Sequence, residues 1–327
     1  MNYIIESDYA GKTVKDFLKK EVKPSHRLLT ILKNKDNGIL VNNTKVTVRY
    51  VLSTGDLLSL NYEDEENEEN ENIVPNDSLL ESIEVIYEDD YMIAFNKPCG
   101  MPSHPSINHF DDTLANAAVS YFKNKNQSIN FRSVNRLDKN TSGIVLIAKN
   151  KMISAKLNGL IKSGNIKKVY KAIIVGNIDS CDKEKINSRL KSVGGIFCYD
   201  KETKAGEITA PIKREKESII KRICDIDGDY SKTEFRVLQI SENKKFSYLE
   251  IYPKTGRTHQ IRVHFYSIGY PLAGDDLYFV DEPSGNNIIT RHALHASSLE
   301  FIHPVTGDNI NINCELYADM KLTFLFP

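Results

Sequence analysis

Apolar residues along this chain recur at two spacings, one typical of helices and one typical of strands. Residues 14–18 and 28–32 carry apolar side chains at helical spacing, with Ser25 as a candidate N-cap for the second helix. Residues 38–43 and 57–62 fit short strands flanked by turns. The pattern therefore predicts a small helix–helix–strand–strand unit over residues 1–62.

A larger set of elements is predicted from residue 83 onward. Ile144 to Ala148 are five consecutive apolar residues, which indicates a strand buried on both faces. Neighbouring strands with short turns and irregularly placed helices favour an α+β fold with a mixed, largely antiparallel sheet and flanking helices. The remaining predicted elements are strands at 83–87, 91–96, 168–175, 235–240 and 246–251, and helices at 113–122, 152–161 and 258–268.

Charge divides the chain into three parts. Residues 1–61 hold ten Lys/Arg against six Asp/Glu, a net charge of +4, although the whole chain has a net charge of −1. Residues 63–82 hold nine acidic residues and neither Lys nor Arg, which indicates a solvated linker. We therefore predict a basic binding module at 1–62, an acidic linker at 63–82 and a large domain at 83–327.

Composition narrows the class of protein. The chain has 327 residues, of which 40% are hydrophobic and 27% charged, as expected for a soluble protein of about two domains. No apolar stretch is long enough to span a membrane, and no targeting peptide is apparent. The five scattered cysteines predict neither disulfides nor a zinc site and favour a reducing cytoplasm. Nothing in the sequence requires assembly, so a monomer is expected.

Asp138 is the first candidate for chemistry. It lies in the segment Arg136-Leu137-Asp138-Lys139-Asn140-Thr141-Ser142-Gly143, directly before the predicted buried strand. Aspartate is a common turn former, so one interpretation is a residue that only closes the loop. The other is a carboxylate kept ionised by an arginine and available as a nucleophile or base. These residues alone leave both interpretations open.

A second candidate segment opens the helix predicted at 258–268, with Thr258 as N-cap. Arg257 precedes it, either solvated or as an ion-pair partner for a carboxylate in a cleft. His259 and His264 lie on different helix faces, which argues against a shared metal. His292 and His295 have no metal-binding companions either, so packing or RNA contact is expected of them. Tyr170 fits a strand, where packing is the default interpretation.

Together these segments resemble the RluA-type pseudouridine synthases. The motifs that carry the resemblance occur here in the family's order: NKPCGMPSHP, RLDKNTSG with its apolar strand, KVYKAIIVG, TGRTHQIRVHF, GYPLAGDDLY and RHALHASSLEFIHPVTG. The first 62 residues resemble the S4 RNA-binding domain that many of these enzymes carry. The resemblance covers nearly the whole chain except the acidic linker and residues 180–204.

The resemblance implies an RNA pseudouridine synthase that isomerises uridines in structured RNA, with ribosomal RNA favoured and transfer RNA as the alternative. Asp138 matches the catalytic aspartate, Tyr170 the active-site tyrosine, and Arg257 the arginine that pairs with the carboxylate. Arg136 matches a residue that handles the flipped nucleotide, and Asn135 stands where many relatives have histidine. No cofactor or metal is implied. The further candidates for RNA contact are Thr141, His259, Gln260, Arg262, His264, Lys12, Lys15, Arg27 and Lys33.

Two alternative functions remain from the sequence. A non-catalytic RNA-binding protein with the same fold would not need Asp138, Tyr170 and Arg257 together. A carboxylate-based glycosidase or RNA glycosylase would need a second acid at a suitable distance, and no motif supplies one.

Overall fold

The structure is a computed structural model, and it describes residues 2–22, 24, 26–61, 73–127, 129–279 and 289–325. For residues 26–28, 31 and 322–325 the main chain alone is described.

The N-terminal unit is a four-stranded antiparallel sheet with two helices. The strands lie in the order Asn2–Ile4, Leu57–Leu60, Ile39–Val41 and Thr44–Lys45 across the sheet. The Thr13 side chain accepts the Asp16 N–H and the Asp16 side chain accepts the Thr13 N–H, a capping box that explains where the first helix begins. The predicted helices and strands of this unit are confirmed, and two short strands that were not predicted, Asn2–Ile4 and Thr44–Lys45, complete the sheet. The elements are β1 (Asn2–Ile4), α1 (Val14–Phe17, continued by a π-helical turn at Leu18–Val22), α2 (His26–Asn34), β2 (Ile39–Val41), β3 (Thr44–Lys45) and β4 (Leu57–Leu60).

The large domain is built on one sheet whose strands alternate irregularly with helices. Its strands are β5 (Glu84–Glu88), β6 (Met92–Lys97), β7 (Ser142–Ala148), β8 (Lys167–Val175), β9 (Ile196–Asp200), β10 (Ala205–Thr209), β13 (Lys232–Ile240), β14 (Phe246–Pro253), β15 (Leu294–Ile302) and β16 (Asn309–Asn313), with a separate hairpin of β11 (Ile212–Arg214) and β12 (Arg222–Cys224). Its helices are α3 (Leu114–Asn124), α4 (Lys151–Lys162), α5 (Lys183–Lys191), α6 (Gln260–Ser267) and α7 (Ala318–Leu325).

The strand order of the large sheet is β5-β6-β7-β15-β8-β14-β13-β10-β9, and β16 pairs with β15. Strands β7 and β15 run parallel, and the other named pairs in this sheet are antiparallel. Gly143 permits the close approach of β7 to β15, because a Cβ there would lie 2.2 Å from the Ala296 carbonyl oxygen. The predicted α+β class with a mixed, largely antiparallel sheet is confirmed.

Strand β7 is buried on both faces, as its apolar run predicts. Ile144 and Leu146 pack in a core that includes residues of α4, whereas Val145 and Ile147 pack in a core that includes residues of α3. Burial of each such side chain contributes roughly 1.5–3 kcal/mol. This rigid strand fixes the loop that precedes it, and that loop carries Asp138.

The last part of the predicted acidic linker, residues 73–82, packs against the large domain. Residues 62–72 lie outside the described part of the chain, but Asp77–Ser82 forms a 3-10 helix beside α3. The Asn116 side chain donates to the Val74 carbonyl at 2.7 Å, and the Ser120 hydroxyl donates to Asp77 at 2.6 Å. Ile73 and Leu79 add apolar contacts, so this stretch belongs to the large domain.

Residues 180–204, which the family motifs do not cover, contain α5 and β9. Ile186 and Leu190 of α5 pack with Phe197 in the core on the α6 side of the sheet. None of the helices in the ranges that the structure describes is long and apolar enough to cross a membrane.

Candidate active site

A cavity of about 320 Å³ opens between the loop before β7, the start of β8 and the loop that leads into α6. Its volume falls within the range of small-molecule sites. The polar residues that define it include Arg136, Asp138, Lys168, Tyr170, His259 and Arg262. Among the described residues, Asp138 is the only acidic side chain that lines the cavity. The lining therefore does not supply the second acid that a glycosidase needs.

The Asp138 carboxylate is directed into the cavity. The turn itself is closed by the main chain, because the Thr141 N–H donates to the Asp138 carbonyl at 3.0 Å. The carboxylate oxygen Oδ2 lies 3.4 Å from Arg262 Nη1 and 3.7 Å from His259 Nε2. The side chain is 24% exposed, so it remains accessible to a ligand. Asp138 is thus both part of a turn and a presented carboxylate.

Arg262 is held rigidly on α6 by a second carboxylate. Its Nε and Nη2 each donate to Asp275 at 2.8 Å, a bidentate pair buried from solvent. Asp275 also accepts the N–H groups of Leu277 and Tyr278. Burial alone would raise the pKa of Asp275. The hydrogen bonds outweigh burial and hold this pKa below its usual range. The guanidinium lies 5.1 Å from the Tyr278 ring centroid, a cation–π contact that further orients it.

The expectation that Arg257 pairs with Asp138 is not met. Arg257 lies before α6, is 43% exposed, and its Nη1 lies 3.4 Å from Asp229 Oδ2. Its Nε donates to the Tyr230 carbonyl at 3.3 Å. Arg257 lines the cavity, but Arg262, which the sequence suggested for RNA contact, makes the pair with Asp138.

His259, rather than the predicted Thr258, is the residue that precedes the first turn of α6. It adopts a left-handed conformation with φ of 56°, which is uncommon for a residue with a side chain. In this conformation the His259 ring lies beside Asp138, and its Nδ1 is 2.8 Å from the Tyr278 hydroxyl. Burial lowers the pKa of His259, and the charge of Asp138 partly offsets this.

Tyr170 lies on β8 with its ring against the cavity. Burial, together with the charge of Asp138, raises the pKa of its phenol well above the usual value. The side chain also contacts two of the apolar cores. Tyr170 therefore combines the packing role expected of a strand residue with a position close to the carboxylate.

Sequence reasoning missed the residues that support the Asp138 loop from behind. Lys97 is fully buried and its ammonium donates to the carbonyls of Pro98, Met101 and Lys139 at 2.8, 2.7 and 3.1 Å. Burial lowers the pKa of Lys97 to about 7. The Ser103 hydroxyl donates to the Leu137 carbonyl at 2.8 Å. The NKPCGMPSHP motif thus supports the loop that carries Asp138.

The segment before and within β15 supports the same loop from the other side. Arg291 Nη1 donates to the Asn140 carbonyl at 3.2 Å, and His292 Nε2 lies 2.7 Å from the Thr141 hydroxyl. His295 Nδ1 lies 2.9 Å from the Ser142 hydroxyl. Burial lowers the pKa of His292 to about 3 and that of His295 to about 4, so both are neutral packing residues.

Several residues predicted to contact RNA are committed to internal hydrogen bonds instead. Thr141 is 2% exposed, and His264 is fully buried between the Thr233 hydroxyl and the Ala210 carbonyl. Gln260 is 4% exposed, and its side chain accepts the Arg257 N–H and donates to the Lys232 carbonyl. The Asn135 amide donates to the Ile144 carbonyl and accepts the Leu146 N–H, both at 2.8 Å. These four side chains therefore stabilise the buried elements around the site by internal hydrogen bonds.

Four of the other RNA candidates are on the surface. Arg136 is exposed at the cavity, and Lys12, Lys15 and Lys33 are exposed on the N-terminal unit. The side chain of Arg27 lies outside the described residues.

Within the described ranges, one group has metal-ligand geometry. Asp275, Asp276 and His292 bring their ligand atoms within 4.8 Å of one another. However, both oxygens of Asp275 are already bonded to Arg262. A metal ion would have to displace the guanidinium, so an ion pair explains this cluster better than a metal centre does.

Comparison with known proteins places this geometry in a family. The family model for RNA pseudouridylate synthase matches residues 91–267. The chain is 32% identical over 311 residues to "Uncharacterized RNA pseudouridine synthase YjbO" of Bacillus subtilis, covering 94% of this chain and 97% of that protein. It is 30% identical over 251 residues to "Ribosomal large subunit pseudouridine synthase D" of Zymomonas mobilis, covering 74% and 72%.

A solved structure shows the same fold. "Human RNA Pseudouridylate Synthase Domain Containing 1" superposes with a TM-score of 0.53 at 23% identity, covering 72% of this chain and 84% of that one. The family match spans the Asp138 loop, β8 and α6, which are the elements that build the cavity. The chain therefore belongs to the RNA pseudouridylate synthase family, in its RluA-type branch, and is an RNA pseudouridine synthase.

Proposed function

We propose that this enzyme converts uridine to pseudouridine at specific positions of a large-subunit ribosomal RNA, using Asp138 as its catalytic carboxylate. The observation that carries the proposal is the Asp138 carboxylate in an open cavity, 3.4 Å from the guanidinium of Arg262 and beside Tyr170. The ribosomal target is proposed because a relative that matches 74% of this chain is named as a ribosomal large subunit pseudouridine synthase.

The chemistry requires no reactant besides the RNA. The bond between uracil N1 and ribose C1′ breaks, a bond between uracil C5 and C1′ forms, C5 loses a proton and N1 gains one. Asp138 supplies the negative charge that engages the uridine as the first bond breaks. Arg262 orients that carboxylate, and Asp275 orients the guanidinium in turn.

A uridine in structured RNA must leave its stack to reach Asp138, at a cost of a few kcal/mol. The Tyr170 ring offers an aromatic surface for the extruded base. Burial and the charge of Asp138 raise the pKa of this phenol, so the ring meets the base in its neutral form. Arg136 is exposed at the same cavity and is available to the RNA on the outer side.

Pseudouridine mapping tests the proposal. Ribosomal and transfer RNA from cells with and without this gene are treated with carbodiimide, and pseudouridine stops are compared. We expect the loss of one or a few sites in large-subunit ribosomal RNA, restored by the wild-type gene and not by a gene encoding Asp138→Asn. Loss confined to transfer RNA would reject the ribosomal target. An unchanged map, with no product from purified protein on either RNA, would reject the assigned reaction.

The N-terminal unit is proposed to be an S4-like RNA-binding module. It presents exposed lysines on and around its first helix, and phosphate contacts by such lysines raise the local concentration of RNA at the cavity. Lys12, Lys15, Lys19 and Lys20 are exposed on and around this helix, and Lys33 and Lys45 are exposed elsewhere on the unit.

Neutralising the module tests this role in the full-length chain. We expect RNA to bind about tenfold or more weakly to the variant Lys12→Gln/Lys15→Gln/Lys19→Gln/Lys20→Gln. A lysine that neutralises a phosphate releases a counterion from the RNA, and a glutamine does not. The slope of log K against log salt should flatten by about 0.7–0.9 for each phosphate that is no longer neutralised. A matched control neutralises four exposed lysines elsewhere: Lys183, Lys185, Lys191 and Lys201. Equal slopes in both variants would count against the module.

A further inference from the structure

Lys168 is a cation at the cavity for which the chemistry above has no use. It lies two residues before Tyr170 on β8, and both residues line the cavity. Its ammonium lies close to the main chain of Gly256, 3.8 Å from the position that a Cβ would take there. The side chain is partly buried, and burial alone lowers its pKa. The protein therefore holds a positive charge at a position where desolvation penalises it.

Neighbouring lysines on the same strand differ from Lys168. Lys167 Nζ lies 3.0 Å from Glu300 Oε2, and Lys171 Nζ lies 2.6 Å from Glu250 Oε1. Within the part of the chain that the structure describes, the Lys168 ammonium forms neither an ion pair nor a hydrogen bond. The difference follows from strand geometry, because alternate side chains of β8 point to opposite faces and Lys168 shares the cavity with Tyr170.

The two arginines on the α6 side of the cavity wall already have carboxylate partners, whereas Arg136 is exposed and is available to the RNA on the outer side. Arg262 pairs with Asp138 and Asp275, and Arg257 pairs with Asp229. Lys168 therefore retains its capacity to bind an anion from outside the protein. The anion that an RNA substrate carries is its phosphodiester group. Lys168 lies about 7 Å from Tyr170 along the strand, and both residues line the cavity.

We propose that Lys168 binds a phosphodiester next to the extruded uridine, forming a backbone subsite of the cavity. This inference rests on the proposed function, because it requires a nucleotide with its base against Tyr170. The phosphate would supply the counter-ion that Lys168 lacks in the free protein, and the contact would form when the uridine enters. Lys168 is therefore assigned to substrate positioning, and Asp138 to the reaction itself.

The test compares Lys168→Met and Lys171→Met in the full-length enzyme on a short RNA that carries a uridine identified by mapping. Each phosphodiester flanking that uridine is replaced in turn by a neutral methylphosphonate with a 2′-deoxy sugar before it. The RNA with the 2′-deoxy change alone is the control. We expect Lys168→Met to lower kcat/KM about tenfold, mainly through KM, and Lys171→Met to change it less than about twofold.

The decisive result is the combination of the protein and RNA changes. One methylphosphonate should lower kcat/KM of the wild-type enzyme about tenfold and leave that of Lys168→Met unchanged, because that variant has no ammonium to bind the phosphate in the first place. Lys168→Met should also melt no lower than wild type, since it removes an unpaired, partly buried charge. If every methylphosphonate lowers the activity of both proteins equally, the phosphate subsite is rejected while the synthase function stands. A wild-type enzyme inactive on every mapped RNA rejects the proposed function itself.

Discussion

Replacing Asp138 by asparagine is expected to lower pseudouridine formation on the order of 10⁴-fold or more, the scale seen when a residue central to the chemistry is removed. The amide has nearly the same shape as the carboxylate but carries no charge. Asp138 is 24% exposed and has a surface-accessible position in the cavity, so its replacement should not unfold the protein. The measurement is single-turnover pseudouridine formation with saturating enzyme, alongside RNA affinity from filter binding.

RNA affinity separates catalysis from binding in this experiment. Removing a negative charge that faces RNA should leave the affinity of Asp138→Asn equal to that of wild type or slightly higher. The control is Asp227→Asn, an exposed aspartate whose contact with Lys213 spans 3.6 Å, and it should keep turnover within about threefold. An Asp138→Asn enzyme that retained wild-type turnover would remove Asp138 from its assigned role. Loss of turnover in proportion to loss of affinity would assign it to binding instead.

The difference between the two arginines of TGRTHQIR shows what the sequence can predict at this site. The motif indicates a cleft residue at the entry to a helix, and the predicted helix start lies within two residues of the observed one. It cannot indicate which arginine reaches Asp138, because that depends on how α6 is rotated against β7 and the loop before it. Arg257 precedes the helix and reaches the surface, whereas Arg262 projects from it toward both Asp138 and Asp275.

Burial explains the other differences between prediction and structure. The run Ile144 to Ala148 predicts its own burial because an apolar strand has few alternatives. Polar residues carry no such signal: Thr141 and His264 are candidates for RNA contact by sequence, yet both are buried and bonded inside the protein. Lys97 is the most pronounced case, since a fully buried lysine bonded to three carbonyls is unexpected from composition. Its partners come together only after β6 and β7 pair.

Replacing Arg262 by lysine is expected to lower kcat about 100-fold or more, although the positive charge is kept. A lysine ammonium cannot reproduce the two parallel hydrogen bonds that Arg262 makes to Asp275 at 2.8 Å while a third nitrogen faces Asp138. The free energy of unfolding should fall by about 1–3 kcal/mol, because the variant cannot form all the buried hydrogen bonds to this carboxylate. The measurements are single-turnover rates and urea unfolding.

Arg257→Lys is the matched control, since it makes the same chemical change five residues away. Arg257 is 43% exposed and pairs with the exposed Asp229, so the change should leave kcat within about threefold and act mainly on KM. If Arg257→Lys lowered kcat more than Arg262→Lys did, the assignment of Arg262 as the partner of Asp138 would be wrong, and the sequence-based pairing would be favoured.

Asp275→Asn then separates orientation from charge at the same guanidinium. Asp275 lies behind Arg262 and contributes no group to the cavity lining, so a direct catalytic role does not apply to it. The amide that replaces the carboxylate can still accept one hydrogen bond from Arg262. It carries no negative charge to pair with the guanidinium. If Arg262 acts by being held in place, Asp275→Asn should lower kcat by about tenfold or more, and combining it with Arg262→Lys should add little further loss. Fully additive losses would mean that the two residues act independently, and the support of Asp138 through Asp275 would be rejected.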